Sequence, residues 1–192
     1  MKDIVFATHN KYKSEEVSNL LAGKFNVLNL NDIGCHDDIP ETGDSFAENA
    51  RLKSIYVVEH YGIDCFADDS GLEIEALNNE PGIYSARYSG VRDDAENLKL
   101  VLRKMDGISN RRANFRTVIS LIQNGTEHLF EGLIFGKIRL EPAGSHGFGY
   151  DPIFEPEGYN ITFAEMGMDK KNEISHRAKA MEKLMAFLKA QG

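Results

Sequence analysis

Cysteine is scarce in this chain of 192 residues, which has only Cys35 and Cys65. Two thiols cannot build a disulfide framework, and they are not at metal-ligand spacing, so we expect free thiols in a reducing compartment. The sequence also lacks an apolar run near the ~20 residues that cross a bilayer, and its first residues lack a signal-peptide profile. These absences favour a cytoplasmic protein without a membrane partner.

Positive charge is also in short supply, with 22 Lys and Arg against 30 Asp and Glu and a net charge of −8. A nucleic-acid polymer is therefore an unfavourable partner, because binding it requires many cationic phosphate contacts. A small anionic ligand held by a few cations is compatible with this charge. Because no repeat or linker interrupts the sequence, we predict one domain over residues 1–192.

Apolar periodicity and turn residues predict the regular elements. We expect strands at 3–7, 65–67, 72–77, 113–123 and 127–140, and helices at 12–22, 45–61, 94–105 and 175–189. A capping-box pair, Ser45 and Glu48, opens the second helix, and Asn124-Gly125 predicts a hairpin turn. Asp68-Asp69-Ser70-Gly71 is predicted to be a turn, and residues 144–152 an ordered loop. The fold class is α/β with a mixed sheet.

The first candidate site follows the first strand and holds Thr8, Asn10, Lys11 and Lys13. Backbone N–H groups, the helix dipole and two ammonium groups at such a place suit a phosphate. The alternative is a polar loop in which Thr8 or Asn10 caps the helix and the lysines lie in solvent.

Carboxylates supply the second candidate site. Two adjacent acids, Asp68 and Asp69, repel each other unless a cation or a donor lies nearby, and one of them with Glu41 would suffice for Mg²⁺. Asn49 and Lys53 share a helix face by their i,i+4 spacing and can face the same ligand. The alternatives are a surface turn and a solvated helix face.

An aromatic ring and a basic cluster form the third candidate site. Phe148 lies between two glycines, where its ring can lie against a flat base, although packing in the core is the favoured interpretation of a single phenylalanine. Lys170, Lys171, His176 and Arg177 surround the start of the last helix. Positive groups oppose the helix dipole there, which favours a nearby anion.

Short motifs that occur in order span nearly the whole chain: Ala7-Thr8-His9-Asn10 with Lys13; Pro40-Glu41-Thr42-Gly43; Glu48-Asn49-Ala50 with Lys53; Ala67-Asp68-Asp69-Ser70-Gly71-Leu72; Pro81-Gly82-Ile83-Tyr84-Ser85-Ala86-Arg87-Tyr88; Gly147-Phe148-Gly149-Tyr150-Asp151-Pro152; Phe163-Ala164-Glu165-Met166; and Ser175-His176-Arg177. Together they resemble the inosine triphosphate pyrophosphatase family. The resemblance implies an elongated mixed sheet flanked by helices, two lobes with a central substrate cleft, and a homodimer. It also implies Mg²⁺-dependent hydrolysis of ITP, dITP and XTP to the monophosphate and pyrophosphate.

The resemblance assigns roles to individual residues. The implied phosphate site comprises Thr8, His9, Asn10, Lys11, Tyr12, Lys13 and Lys53, with Glu41 and Asp69 as Mg²⁺ ligands and Asp69 also as the base. The implied nucleoside site comprises Ser70, Phe148, Gly149, Tyr150, Asp151, Lys171, His176 and Arg177. His9 and Tyr12 stand where the family often has glycine, and Ser54 where alanine is usual.

Two other functions remain open from the sequence. One is a related pyrophosphatase for pyrimidine or modified nucleotides, against which Phe148 and His176-Arg177 argue. The other is a nucleotide-binding protein without catalysis, against which the combination of Glu41, Asp69 and Lys53 argues.

Overall fold

A computed structural model describes residues 2–190. Strands and helices alternate along the first part of the chain, and the strands form a mixed sheet. The strands are β1 (Lys2–Phe6), β2 (Phe25–Leu28), β3 (Cys65–Ile74), β4 (Glu80–Pro81), β5 (Arg112–Gln123), β6 (Thr126–Ile138) and β7 (Phe154–Pro156). The helices are α1 (Lys11–Leu20), α2 (Phe46–Tyr61), α3 (Asp94–Lys104), α4 (Met168–Ile174) and α5 (His176–Ala190). Short 3₁₀ helices lie at Glu75–Leu77, Gly82–Arg87 and Asp151–Ile153.

The sheet has the strand order β2-β1-β3-β5-β6-β7, and β4 pairs with β3. Strand β1 runs parallel to β2, with Ile4 opposite Val27, and parallel to β3, with Val5 opposite Cys65. Strands β4 and β7 run antiparallel to β3 and β6, respectively. Parallel and antiparallel pairs therefore coexist, which confirms the predicted mixed α/β class.

The chain divides into two compact units. The first unit comprises the described residues within 1–69, 117–132 and 178–192, and the second comprises residues 70–116 and 133–177. Met1, Gln191 and Gly192 lie outside the described residues, and the single domain over 1–192 stays a prediction. Within residues 2–190, no helix combines the length and the apolar character that crossing a membrane requires.

Apolar side chains on both faces of β1 and β3 form the core of the first unit. Phe6 and Phe66 stack with their ring centroids 4.7 Å apart in a cluster that includes residues of α1 and α5. Val5 and Cys65, one position earlier in each strand, belong to a second cluster that includes Val57 of α2. Successive side chains of a strand point to opposite faces, so both faces are covered, as is usual for parallel strands.

The core of the second unit is rich in phenylalanine. Phe115 of β5 contacts Phe154 of β7 edge to face, with centroids 4.7 Å apart, and also packs near Phe163. Leu98 and Val101 place the apolar face of α3 in the same cluster. Tyr150, from the loop that carries Phe148, belongs to the same cluster.

The predicted turn at Asp68-Asp69-Ser70-Gly71 is wrong, because β3 runs without a break from Cys65 to Ile74. The turn prediction rested on the turn-forming residue types in this segment. Instead both acids are buried, and their polar atoms contact Lys13 and Asn49. The predicted strand at 72–77 also ends early, since Glu75–Leu77 is a 3₁₀ helix.

The other predicted elements are found within a few residues of their expected bounds. Ser45 caps α2 by accepting from the backbone N–H of Glu48, and Gly62 ends that helix in the left-handed region. Asn124 and Gly125 both have positive φ between the neighbouring strands β5 and β6, as the hairpin requires. The prediction missed the short elements β2, β4, β7 and α4.

Candidate active site

Asn10 caps the helix that follows the first strand. Its Oδ1 accepts from the backbone N–H groups of Tyr12, at 3.0 Å, and Lys13, at 3.1 Å. The Oγ1 of Thr8 in turn accepts from the backbone N–H of Asn10 at 3.1 Å. The capping alternative is therefore confirmed for Asn10, and the cap gives the loop a fixed backbone at the start of α1.

The basic side chains of this segment point in different directions. Lys13 Nζ lies 2.9 Å from Asp68 Oδ1, and its side chain is only 14% exposed. Lys11 and Tyr12 are exposed, and the Lys11 ammonium lies 5.1 Å from the centre of the Tyr12 ring. Of the two predicted cations, the structure brings Lys13 to the carboxylates.

His9 contacts the segment that leads to Glu41. Its Nε2 lies 2.9 Å from the backbone oxygen of Asp37, and the Tyr56 hydroxyl donates to the Asp37 carboxylate at 2.8 Å. Asp37 is thus held on its backbone and on its side chain. His9 as a phosphate ligand stays a prediction.

Lys53 lies among three acidic residues. Its ammonium donates to Glu41 Oε1 and, at 2.7 Å, to the backbone oxygen of Asp68. Asn49, one turn earlier in α2, donates from Nδ2 to Asp69 Oδ2 at 3.1 Å and accepts from the backbone N–H of Gly43 at 2.9 Å. The shared helix face of Asn49 and Lys53 is therefore confirmed, and it is not a solvated face.

Electrostatics in this cluster are strong because the groups are desolvated. Burial, more than any other influence, raises the pKa of Asp69; nearby Glu41 raises it further, while Lys53, Lys13 and Asn49 partly offset the rise. Burial alone would lower the pKa of Lys53, but the surrounding carboxylates raise it above its ordinary value. A buried carboxylate with a raised pKa beside fixed cations is typical of functional sites.

The carboxylates also have suitable chemistry for a hard cation. Among residues 2–190, no group of three or more His, Cys, Asp or Glu side chains is placed to hold a metal. Mg²⁺ usually takes only one or two protein carboxylates and completes its shell with water and phosphate oxygens. Glu41 and Asp69 supply two such oxygen donors, and burial already disfavours the uncompensated charge of Asp69. The donor set therefore fits Mg²⁺ bound together with a phosphorylated ligand.

In the second unit, two cations lie over the Phe148 ring. Lys171 Nζ is 4.9 Å and the Arg177 guanidinium 6.0 Å from the centre of this partly exposed ring. Lys171 pairs with Asp151 Oδ2 at 2.7 Å, and Arg177 donates to Ser70 Oγ at 3.1 Å. The structure therefore brings together five of the residues predicted to contact the nucleoside.

The burial of these cations constrains what they can bind. Lys171 and Arg177 are 4% and 2% exposed. A buried charge is costly unless it is paired and hydrogen-bonded. Asp151 and Ser70 already supply such partners, so a ligand here would meet cations that are held in place. Lys170 lies apart from this arrangement, because it pairs with Glu173 at the surface.

His176 and Tyr150 pack towards the interior of the second unit. The His176 ring stacks on Phe115, with centroids 4.8 Å apart. The buried Tyr150 hydroxyl donates to the backbone oxygen of Ser85 at 2.7 Å. Their roles as ligand contacts stay predictions, whereas the stacking of His176 on Phe115 and the bond of Tyr150 to Ser85 are observed.

Sequence reasoning gave no individual role to several residues that hold the site together. Asp68 was one of a recognised acidic pair, but its partner Lys13 is far away in sequence. Asp94 accepts from the backbone N–H of Gly149 at 2.9 Å, and in the sequence it looks like an ordinary acid at the start of a helix. Only the folded chain reveals such partners.

Comparisons with known proteins show the family to which the chain is similar. The Ham1 family profile matches residues 4–187. The chain is 50% identical over 187 residues to the dITP/XTP pyrophosphatase of Flavobacterium psychrophilum, covering 97% of this chain and 98% of that protein. It is 49% identical over 190 residues to the dITP/XTP pyrophosphatase of Porphyromonas gingivalis, covering 98% of each.

Solved structures of Ham1 proteins are also similar to this chain. The Ham1 protein of Staphylococcus aureus matches with a TM-score of 0.90 and 38% identity, covering 100% of both chains. A HAM1 protein from Coxiella burnetii also has a TM-score of 0.90 and 38% identity, covering 99% of this chain and 100% of that one. Because both the sequence and the fold match Ham1 proteins along almost the whole chain, this chain belongs to the Ham1 family.

Proposed function

We propose that this protein hydrolyses dITP, XTP and ITP to the nucleoside monophosphate and pyrophosphate with the help of Mg²⁺. The observation that carries this proposal is the cluster of Lys53, Glu41, Asp69 and Asn49 beside Asp68 and Lys13. Asn49 and both aspartates of this cluster are buried. Relatives that are about half identical over nearly their full length are named dITP/XTP pyrophosphatases, which supports the same substrates here.

Asp69 is the proposed general base. Asn49 fixes its carboxylate, and the raised pKa makes it a better proton acceptor than an ordinary aspartate. A water oxygen attacks the α-phosphorus and loses its proton to Asp69, while the bond to the bridging oxygen breaks and pyrophosphate leaves. When bound by Glu41 and Asp69, Mg²⁺ would neutralise part of the triphosphate charge.

Lys13 and Lys53, also in the first unit, would supply positive charge for the triphosphate. Both ammonium groups are already held by acidic residues, so they are positioned before a ligand arrives. Positive charge fixed in this way stabilises the charge that develops on the leaving pyrophosphate. The capped loop from Thr8 to Lys13 completes the proposed phosphate site.

The second unit supplies the proposed base selectivity. Phe148 would stack on the purine, and Lys171 and Arg177 would donate to its 6-oxo group. Adenine has an amino donor at that position, so donors there disfavour ATP. The homodimer implied by the family resemblance and the cytoplasmic location favoured by the sequence both stay predictions.

Pyrophosphate release from ITP, XTP, GTP, ATP, dTTP and UTP, measured with Mg²⁺ and then with a chelator, tests the function. We expect release from ITP and XTP that the chelator abolishes. A preference for dTTP or UTP would instead support the pyrimidine enzyme. Binding without turnover of any of them would support a nucleotide-binding protein.

Replacing Phe148 with alanine is expected to raise KM for ITP by about 5-fold or more, because base stacking on an aromatic ring contributes roughly 1–3 kcal/mol. The value of kcat should change less, since the reacting groups lie in the first unit. Phe135→Ala is the matched control, because Phe135 also belongs to the second unit and is 60% exposed. Equal KM values in steady-state assays of the Phe148 variant and the wild type would assign Phe148 to packing.

A further inference from the structure

The loop around Phe148, residues 147–151, is fixed by carboxylates that bind consecutive backbone N–H groups. Asp151 Oδ2 accepts from Phe148 N at 3.0 Å, and Asp94 Oδ2 accepts from Gly149 N at 2.9 Å. Asp151 belongs to the loop itself. Asp94 is the first residue of α3 and lies 55 positions earlier in the chain.

This loop needs such contacts because its glycines leave the backbone free. Gly147 and Gly149 have φ values of 76° and 61°, and open space surrounds the position of a Cβ on Gly149. A glycine with that freedom loses more conformational entropy on ordering than any other residue. The bond from Asp94 acts on the peptide group that joins Phe148 to Gly149, and it therefore orients the residue that carries the ring.

Other contacts of the loop act at different points. The Tyr150 hydroxyl anchors the far side of the loop at Ser85, and Lys171 holds the Asp151 carboxylate. Asp94, by contrast, lies outside the loop and contacts its backbone at Gly149, next to Phe148. An exposed hydrogen bond to a charged acceptor contributes only modestly to net stability. Here it would also limit the conformations of the loop that carries Phe148, the proposed binding surface for the base.

We propose that Asp94 is a positioning residue that orders Phe148 for purine binding. The proposal rests on the proposed function, because it assumes that Phe148 receives the base. Asp94 acts through the Gly149 N–H and need not contact the nucleotide. The residue thereby links the start of α3 to binding of the base.

The adjacent acid provides a matched control. Asp93, not Asp94, caps α3, since its Oδ1 accepts from the backbone N–H of Glu96 at 2.9 Å. Asp93→Ala should therefore weaken the helix and leave the Gly149 contact in place. Asp94→Ala removes the contact, whereas Asp94→Asn retains a carbonyl oxygen that can accept the same hydrogen bond.

The test measures hydrogen exchange of the Gly149 amide and the affinities for IMP and for pyrophosphate. We expect Asp94→Ala to accelerate exchange and to weaken IMP binding by roughly 3- to 10-fold, with pyrophosphate affinity unchanged. Asp94→Asn should restore most of both properties. Asp93→Ala should leave both near the wild-type values while lowering Tm.

Two results would overturn the positioning role. One is an Asp94→Ala variant with unchanged Gly149 exchange and unchanged IMP affinity; the other is an equal effect of Asp93→Ala on both, which would indicate general damage to α3. Failure of the wild type to bind IMP would contradict the proposed function instead. The exchange measurement needs no nucleotide, so it distinguishes the two failures.

Discussion

Replacing Asp69 with asparagine is expected to lower kcat by about 10²- to 10⁴-fold, the usual contribution of a general base. Asparagine has nearly the same shape and can still accept from Asn49, but it cannot take a proton from water. The variant also removes a carboxylate from the proposed Mg²⁺ site, so its Mg²⁺ requirement should rise. Steady-state kinetics across Mg²⁺ concentrations would measure both effects.

The fold should survive this substitution, because burial already disfavours the charged form of Asp69. Thermal unfolding should therefore show a Tm at or above that of the wild type. Asp3→Asn is a suitable control, since Asp3 is an exposed aspartate whose carboxylate accepts a hydrogen bond from Asn26 Nδ2. Near-normal turnover by the Asp69 variant would remove Asp69 from the proposed mechanism.

Among the proposed substitutions, Lys53→Met should lower the free energy of unfolding the most. Lys53 is 12% exposed, and its ammonium offsets the charges of Glu41, Asp68 and Asp69. Removing one partner of a buried ion pair typically costs about 3–5 kcal/mol, because the remaining charge stays buried. We therefore expect the free energy of unfolding to fall by about that amount, together with a loss of activity.

Denaturant unfolding with fixed Mg²⁺ and without nucleotide measures this loss. Lys99→Met provides the comparison, since Lys99 pairs with Glu96 on an exposed face of α3. Such a surface pair contributes only about 0–1 kcal/mol. If the two variants lost equal stability, the Lys53 cluster would not have the electrostatic importance assigned to it.

Local sequence rules predicted the features whose causes are local. Asn10 and Ser45 cap helices because their side chains reach backbone N–H groups two or three residues ahead. The i,i+4 spacing of Asn49 and Lys53 likewise placed both on one helix face. The hairpin at Asn124-Gly125 follows from two residues that tolerate positive φ.

The errors arise where distant residues determine the outcome. Asp68-Asp69-Ser70-Gly71 has the composition of a turn, but its charges are stabilised by partners from α1 and α2, so it forms a strand. Asp94 and Gly149 are 55 residues apart, and neither shows in sequence that it contacts the other. The resemblance to a known family supplied most of the proposed site, and the structure supplied its supporting contacts.

Hydrolysis of dITP in water labelled with the heavy oxygen isotope tests the central claim most directly, because it shows which phosphorus is attacked. With Mg²⁺ present, we expect dIMP and pyrophosphate as the products, with the label in dIMP. Formation of dIDP and labelled inorganic phosphate would contradict the claim, since the γ-phosphorus would then be the site of attack.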